Sequence, residues 1–140
     1  MPAGTEITKE WLAQMLPPAG YNNIRFGTRD PECVLAEHPT RPNLTLKVRR
    51  DLRAITIVHS WALVKLGWGD AAKVATAVAK ANSLSWLDTF SQDNAGNLNV
   101  SSYITLAEQL TEADVAFHIE KEASLFLEVI NAADLRRWIK

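Results

Sequence analysis

The sequence predicts an α+β fold, an antiparallel five-stranded sheet in α-β-β-β-α-β-β-α order with helices packed mainly on one face. Three observations carry that expectation. Two alternating runs, Leu44 to Arg49 and Ala54 to Val64, are joined by Arg50-Asp51-Leu52, a link suited to an antiparallel hairpin. An alanine-rich helix then leads to a second strand pair turned by Asp93-Asn94-Ala95-Gly96-Asn97. A long amphipathic helix opened by Thr111 closes the order.

Each element has a local reason. Thr8 is placed to cap a first helix, with Ile7 and Leu12 as a hydrophobic staple, and Pro17-Pro18 ends it. A polar loop with Gly20, Asn22, Asn23 and Gly27 follows. Cys33 to Ala36 is a short strand. In the next strand Leu44, Leu46 and Val48 share one face, and in the longest Ile55, Ile57, His59, Trp61 and Leu63 do. Asp70 reads as the N-cap of a helix over Ala71 to Ala81 whose buried side carries Val74 and Val78.

Leu84 to Ser91 and Leu98 to Leu106 complete the strands, the latter with Asn99, Ser101 and Tyr103 opposite Leu98, Val100 and Ile104. The last helix has the fullest start signal in the chain. Thr111 is its N-cap, Asp114 its capping-box acid, and Leu110 with Val115 its staple. Its apolar stripe is Ala116, Ile119, Ala123, Phe126, Leu127 and Ile130, which leaves Glu120, Glu122 and Glu128 as a solvated face. The helices then lie on the apolar sheet face, and Thr45, Lys47, Arg49, Thr56 and Tyr103 face away from them.

A chain of 140 residues with formal net charge −1 fits one domain, 1–140, with 131–140 as a C-terminal extension or tail. The weak overall charge does not favour nucleic acid or an anionic membrane as partner. Cys33 is the one cysteine, so no internal disulfide forms and no second thiol offers a metal-ligand spacing. Without an apolar leader or a membrane-length run, a cytoplasmic location is expected.

Gly67-Trp68-Gly69-Asp70-Ala71-Ala72 satisfies a dinucleotide-binding pattern, with Asp88 roughly twenty residues on as the ribose acid. Asp70, however, puts a negative charge where pyrophosphate binds, and Trp68 crowds the approach. A loop and cap explain the motif better. Asp93 to Asn97 has alanine at the third position of a calcium loop and reads as a turn. His38, His59 and His118 share no ligand spacing, and His59 is expected to be a hydrogen-bonded core histidine. Arg41, Lys47, Arg49, Arg50 and Arg53 form one basic hairpin region, without the aromatic interleaving that stacks bases. Trp11, Trp61 and Trp86 read as core, whereas Trp68 and Trp138 sit where full burial is harder.

Val74 to Asn82 leading into Leu84-Ser85-Trp86, the Asp93 to Asn97 turn and Gln109-Leu110-Thr111 resemble landmarks of the YbjN family of bacterial proteins, from about Ile7 to Ile130. The resemblance implies a fold like that of type III secretion chaperones, with a loose link to stress and motility regulation. It implies no enzymatic activity and supplies no catalytic residues.

The expected function is a non-enzymatic protein-interaction module, chaperone-like or regulatory, forming a homodimer and needing no cofactor or metal. Lys47, Arg49, Tyr103 and Trp68 are its expected partner-binding residues. A nucleic-acid-linked regulator using the Arg41–Arg53 hairpin is the alternative. A nucleotide-binding enzyme using Gly67–Ala72 comes third.

Overall fold

Short antiparallel links assemble one antiparallel sheet of six strands, one more than expected, in the order β1-β2-β3-β4-β6-β5. The computed structural model describes residues 7–85, 88–93, 95–106 and 110–140. The elements are α1 (Lys9–Met15), β1 (Asn22–Phe26), β2 (Cys33–Glu37), β3 (Asn43–Arg49), β4 (Ala54–Ala62), α2 (Asp70–Leu84), β5 (Thr89–Gln92), β6 (Asn97–Thr105) and α3 (Glu112–Ala132). Every described ladder is antiparallel. That topology lacks the parallel strand–helix–strand unit to which a dinucleotide motif belongs.

The added strand is β1, in the stretch expected to be a polar loop. Its ladder to β2 breaks register between Asn22 and Arg25, where Asn23 adopts φ 49°. Asparagine tolerates that left-handed geometry better than most residues, so a bulge fits inside the strand. Before it, Thr8 accepts the Trp11 N–H at 3.2 Å and opens α1 as expected. Pro17–Ala19 form a single 3-10 turn.

Two helix boundaries differ from expectation. Gly69, at φ 82°, is the N-cap of α2, and Asp70 is its first residue. The Asp70 carboxylate instead turns back to accept the Gly67 N–H at 2.6 Å. The helix also runs on through Leu84, so β5 begins only at Thr89; the expected core residue Trp86 lies outside the described residues. Asn82 explains the longer helix. Its amide accepts the Phe90 N–H at 2.7 Å and donates to the Phe90 carbonyl at 2.9 Å, tying α2 to β5.

The last helix opens as the sequence predicts. Thr111 Oγ1 accepts the Asp114 N–H and Asp114 accepts the Thr111 N–H, closing the reciprocal capping box. The segment after α3 is docked rather than a tail. Trp138 and Leu135 are buried, Ile139 bridges Leu63, and the Lys140 N–H reaches the Ala62 carbonyl at 2.9 Å. No described helix is long and apolar enough to cross a membrane.

The helices gather on one sheet face over two apolar clusters. The first joins α1 and the start of α3 to β2, β3 and β4 through Leu12, Leu16, Val34, Leu46, Ile57 and Ile119. The second joins α2, the end of α3 and the C-terminal segment to β4, β5 and β6 through Val74, Phe90, Val100, Phe126 and Trp138. Between them runs a strip of polar residues.

Candidate functional site, a groove over a polar seam

Alternation alone puts the polar strip on the inner face. His59 lies on β4 between Ile57 of the first cluster and Trp61 of the second. Ser102 holds the equivalent place on β6, directly across from Ile57. Glu122 occupies the α3 position three residues after Ile119 and four before Phe126, so it points inward with them. All three are buried. The expectation that Glu122 is solvated therefore fails, because it stands on the apolar stripe.

The Glu122 carboxylate organises the seam. Ser102 Oγ donates to Oε2 at 2.7 Å, and His118 Nε2, one helical turn away, lies 2.5 Å from Oε1. That His118 contact lies off the ring N–H axis, since Nε2 makes no aligned hydrogen bond. His59 Nδ1 stands 3.9 Å from Oε2, too far to bond, and neither of its ring nitrogens makes an aligned hydrogen bond. His59 is thus a core histidine, as expected, with no aligned side-chain hydrogen bond and only the Ile119 backbone acting to raise its pKa. Burial lowers its pKa to about 4 and keeps the imidazole neutral.

Burial also pushes Glu122 above the usual carboxylate range, and the nearby Asp88 charge adds to that shift. Ser102 and His118 pull it back. Asp88 is itself raised by burial, opposed by the Ser85 hydroxyl at 3.2 Å and by His118. Thus two carboxylates share one poorly hydrated neighbourhood.

This seam opens to the surface where β5 stops. β5 pairs β6 only from Leu98 to Ser101, and no described strand lies on that side of β6 further along. There a hollow of about 360 Å³ is lined by Asp88, Ser102, Tyr103, Phe117, His118, Lys121, Glu122, Leu125 and Phe126. Three of its lining residues are large and exposed: Phe117 at 65%, Tyr103 at 60% and Leu125 at 46%. The hollow has an apolar rim and an acidic, hydroxyl-bearing floor. The Ser102 hydroxyl donates to Glu122, not to an imidazole, so these groups do not form a nucleophile–base relay. Among the described residues no three His, Cys, Asp or Glu side chains are arranged to hold a metal ion.

The residues expected to bind a partner do not converge on this groove. Tyr103 alone lines it. Lys47 and Tyr103 share a cross-strand row on the outer sheet face, separated by Thr56. Lys47 pairs with Asp30 at 2.6 Å, and Arg49 with Asp51 at 2.8 Å. Each acid raises the pKa of its cation and is itself lowered. Trp68 is fully exposed in the turn before α2 and belongs to neither apolar cluster.

The basic hairpin region is also largely engaged. Arg41 pairs with Glu120 at 3.5 Å, and Arg50 donates to the Ile7 carbonyl at 2.5 Å. With Lys47 and Arg49 paired as well, it presents fewer free cations than its sequence suggests. Trp138, expected to resist burial, is covered.

No family model matches the chain, and no curated protein sequence does. Among solved structures it is similar to the crystal structure of YbjN, "a putative transcription regulator from E. coli". The TM-score is 0.60 at 14% identity, and 94% of each chain is covered. That likeness shows a YbjN-like fold.

Proposed function

We propose that the chain is a non-catalytic module of the YbjN type, chaperone-like or regulatory, that works by binding another protein along the groove between α3 and β6. One observation carries this reading. Phe117, Tyr103 and Leu125, three of the large exposed apolar side chains, all line the same hollow. Apolar side chains gathered at a concave site release water when a partner covers them, and aromatic residues are favoured as anchors. The fold's likeness to a protein described as a regulator supports the same reading.

The test is retention of a cellular protein by the immobilised chain, with the retained protein identified by mass spectrometry. Tyr103→Ala, Phe117→Ala and Leu125→Ala together should abolish retention while thermal melting shows an intact fold. Undiminished retention by that triple variant overturns the reading. Light scattering across a dilution series separates self-association from binding of a different protein.

A further inference from the structure

Resting on that interaction reading, we propose that the groove seats a basic side chain, Lys or Arg, of the partner protein. Asp88 and Glu122 would meet its cationic end, with Phe117, Leu125 and Phe126 along its stem. The groove is set apart because its carboxylates are withdrawn from water without a Lys or Arg beside them. Asp30, Glu37, Asp51 and Glu120 each pair with a Lys or Arg. Among the described residues, acids such as Glu112, Asp114 and Glu128 have no such pair but are exposed, whereas Glu122 is buried and Asp88 partly so with neither cation paired to them. They also repel each other, and a cation between them would offset both that repulsion and the cost of burial.

The floor is unfinished in a second respect. His59 is fully buried behind Glu122, and neither ring nitrogen makes an aligned hydrogen bond. Glu122 has only the Ser102 hydroxyl and the His118 imidazole beside it.

The walls suit the rest of such a side chain. A long basic side chain lays an apolar stem against apolar surface and keeps its charge for polar groups. Phe117 already has the Lys121 ammonium 6.0 Å from its ring centroid, so a cation is tolerated at that face. Lys121 also lines the hollow. It is therefore a built-in competitor for an incoming cation.

The test titrates the ¹⁵N-labelled full chain with acetylated, amidated lysine, arginine and norleucine, and with butylammonium. Lysine and arginine should shift the Ser102 and Phe126 amides, with norleucine at least about tenfold weaker, as expected for loss of a charged hydrogen bond. Asp88→Asn should weaken lysine by about tenfold without changing norleucine. Glu122→Gln should do the same where melting shows it folded, and Lys121→Met should strengthen lysine.

Equal binding of lysine and norleucine overturns the proposal, as does an unchanged lysine affinity in Asp88→Asn or no shift with either basic probe. Butylammonium binding more tightly than the lysine derivative would assign the site to a free amine instead. The two readings fail separately. Loss of protein retention on changing the rim, with no preference for charge, leaves the groove as an interface and removes only the basic occupant.

Discussion

The two ends of the molecule share one sheet and one layer of helices, yet they treat charge in opposite ways. At the β1–β3 end the core is apolar apart from the Tyr21 hydroxyl, and the charges lie outside in pairs such as Lys47 with Asp30 and Arg25 with Glu37. Toward the β6 end, Glu122 and His59 are buried and Asp88 is partly so. Paired surface charges change stability little in either direction. A buried carboxylate is costly unless its partners compensate it, and apolar side chains often fill such a place at no loss. Packing accounts for the first end. At the other, the polar groups surround a groove, and the proposed recognition role accounts for them where packing does not.

The comparison is tested most severely by emptying each core in turn. Phe126 is fully buried, with its ring 5.2 Å from His59 and 6.1 Å from Phe90. Phe126→Ala should cost about 3–5 kcal/mol, and Leu46→Ala in the other core about 2–5 kcal/mol, by urea unfolding. β4 and α3 contribute to both clusters, so each variant should still unfold in one transition. Two separate transitions would show instead that the seam divides the molecule into independent units.

A pH series asks whether the seam behaves as buried charge. The His59 pKa falls from 6.5 to about 4 on folding. The unfolded chain therefore takes up this proton first, and its contribution is complete above 6.5. It is lost as the pH falls toward 4, by roughly 3 kcal/mol at most. Glu122 and Asp88 act with the opposite sign. Both are raised, so folding favours their protonated forms and their contribution declines as the pH rises above the ordinary carboxylate value. His59→Leu should shrink the loss on the acid side, leaving the part due to His38 and to the lowered surface carboxylates, and leave the decline due to Glu122 and Asp88. Urea midpoints measured from pH 4 to neutrality check this, and an unchanged profile in His59→Leu would remove His59 from the account.

The helix caps give a smaller contrast. Thr111→Ala with Asp114→Ala removes both bonds of the reciprocal box that opens α3, whereas Thr8→Ala removes a single acceptor at α1. The single cap should cost about 1 kcal/mol and the pair more, as melting shifts measure. A pair no costlier than Thr111→Ala alone would mean that the Asp114 half of the box contributes nothing.

How far the sequence could be read follows from how local each signal is. The Thr111 box and the β3–β4 hairpin need only neighbouring residues, and both stand where expected. β1 was obscured because Asn22 and Asn23 have the composition of a loop, and the bulge that admits them depends on β2. Trp138 finds its cover in strands far back in the chain. For the groove there was a signal. Glu122 falls at stripe spacing between Ile119 and Phe126, Ser102 between Val100 and Ile104, and His59 between Ile57 and Trp61. Three polar residues at apolar positions of three elements mark a seam, although only the fold shows that they meet. Reading Glu122 by its charge rather than by its position hid it.

The smallest effect is expected where the charges are most conspicuous in the sequence. Lys47→Met with Arg49→Met removes two cations from the outer sheet face, and Asp30 and Asp51 lose their partners. Those acids remain hydrated, and such exposed pairs commonly contribute nothing measurable. Melting should match that of the parent chain, and so should lysine binding in the groove, because neither residue lines it. A fall in protein retention with the groove's lysine affinity intact would place a second contact on the sheet's outer face. The partner would then reach round the β6 edge from Tyr103, which belongs to both surfaces, and the division between an inert end and a binding end would give way to one interface continuous across that edge.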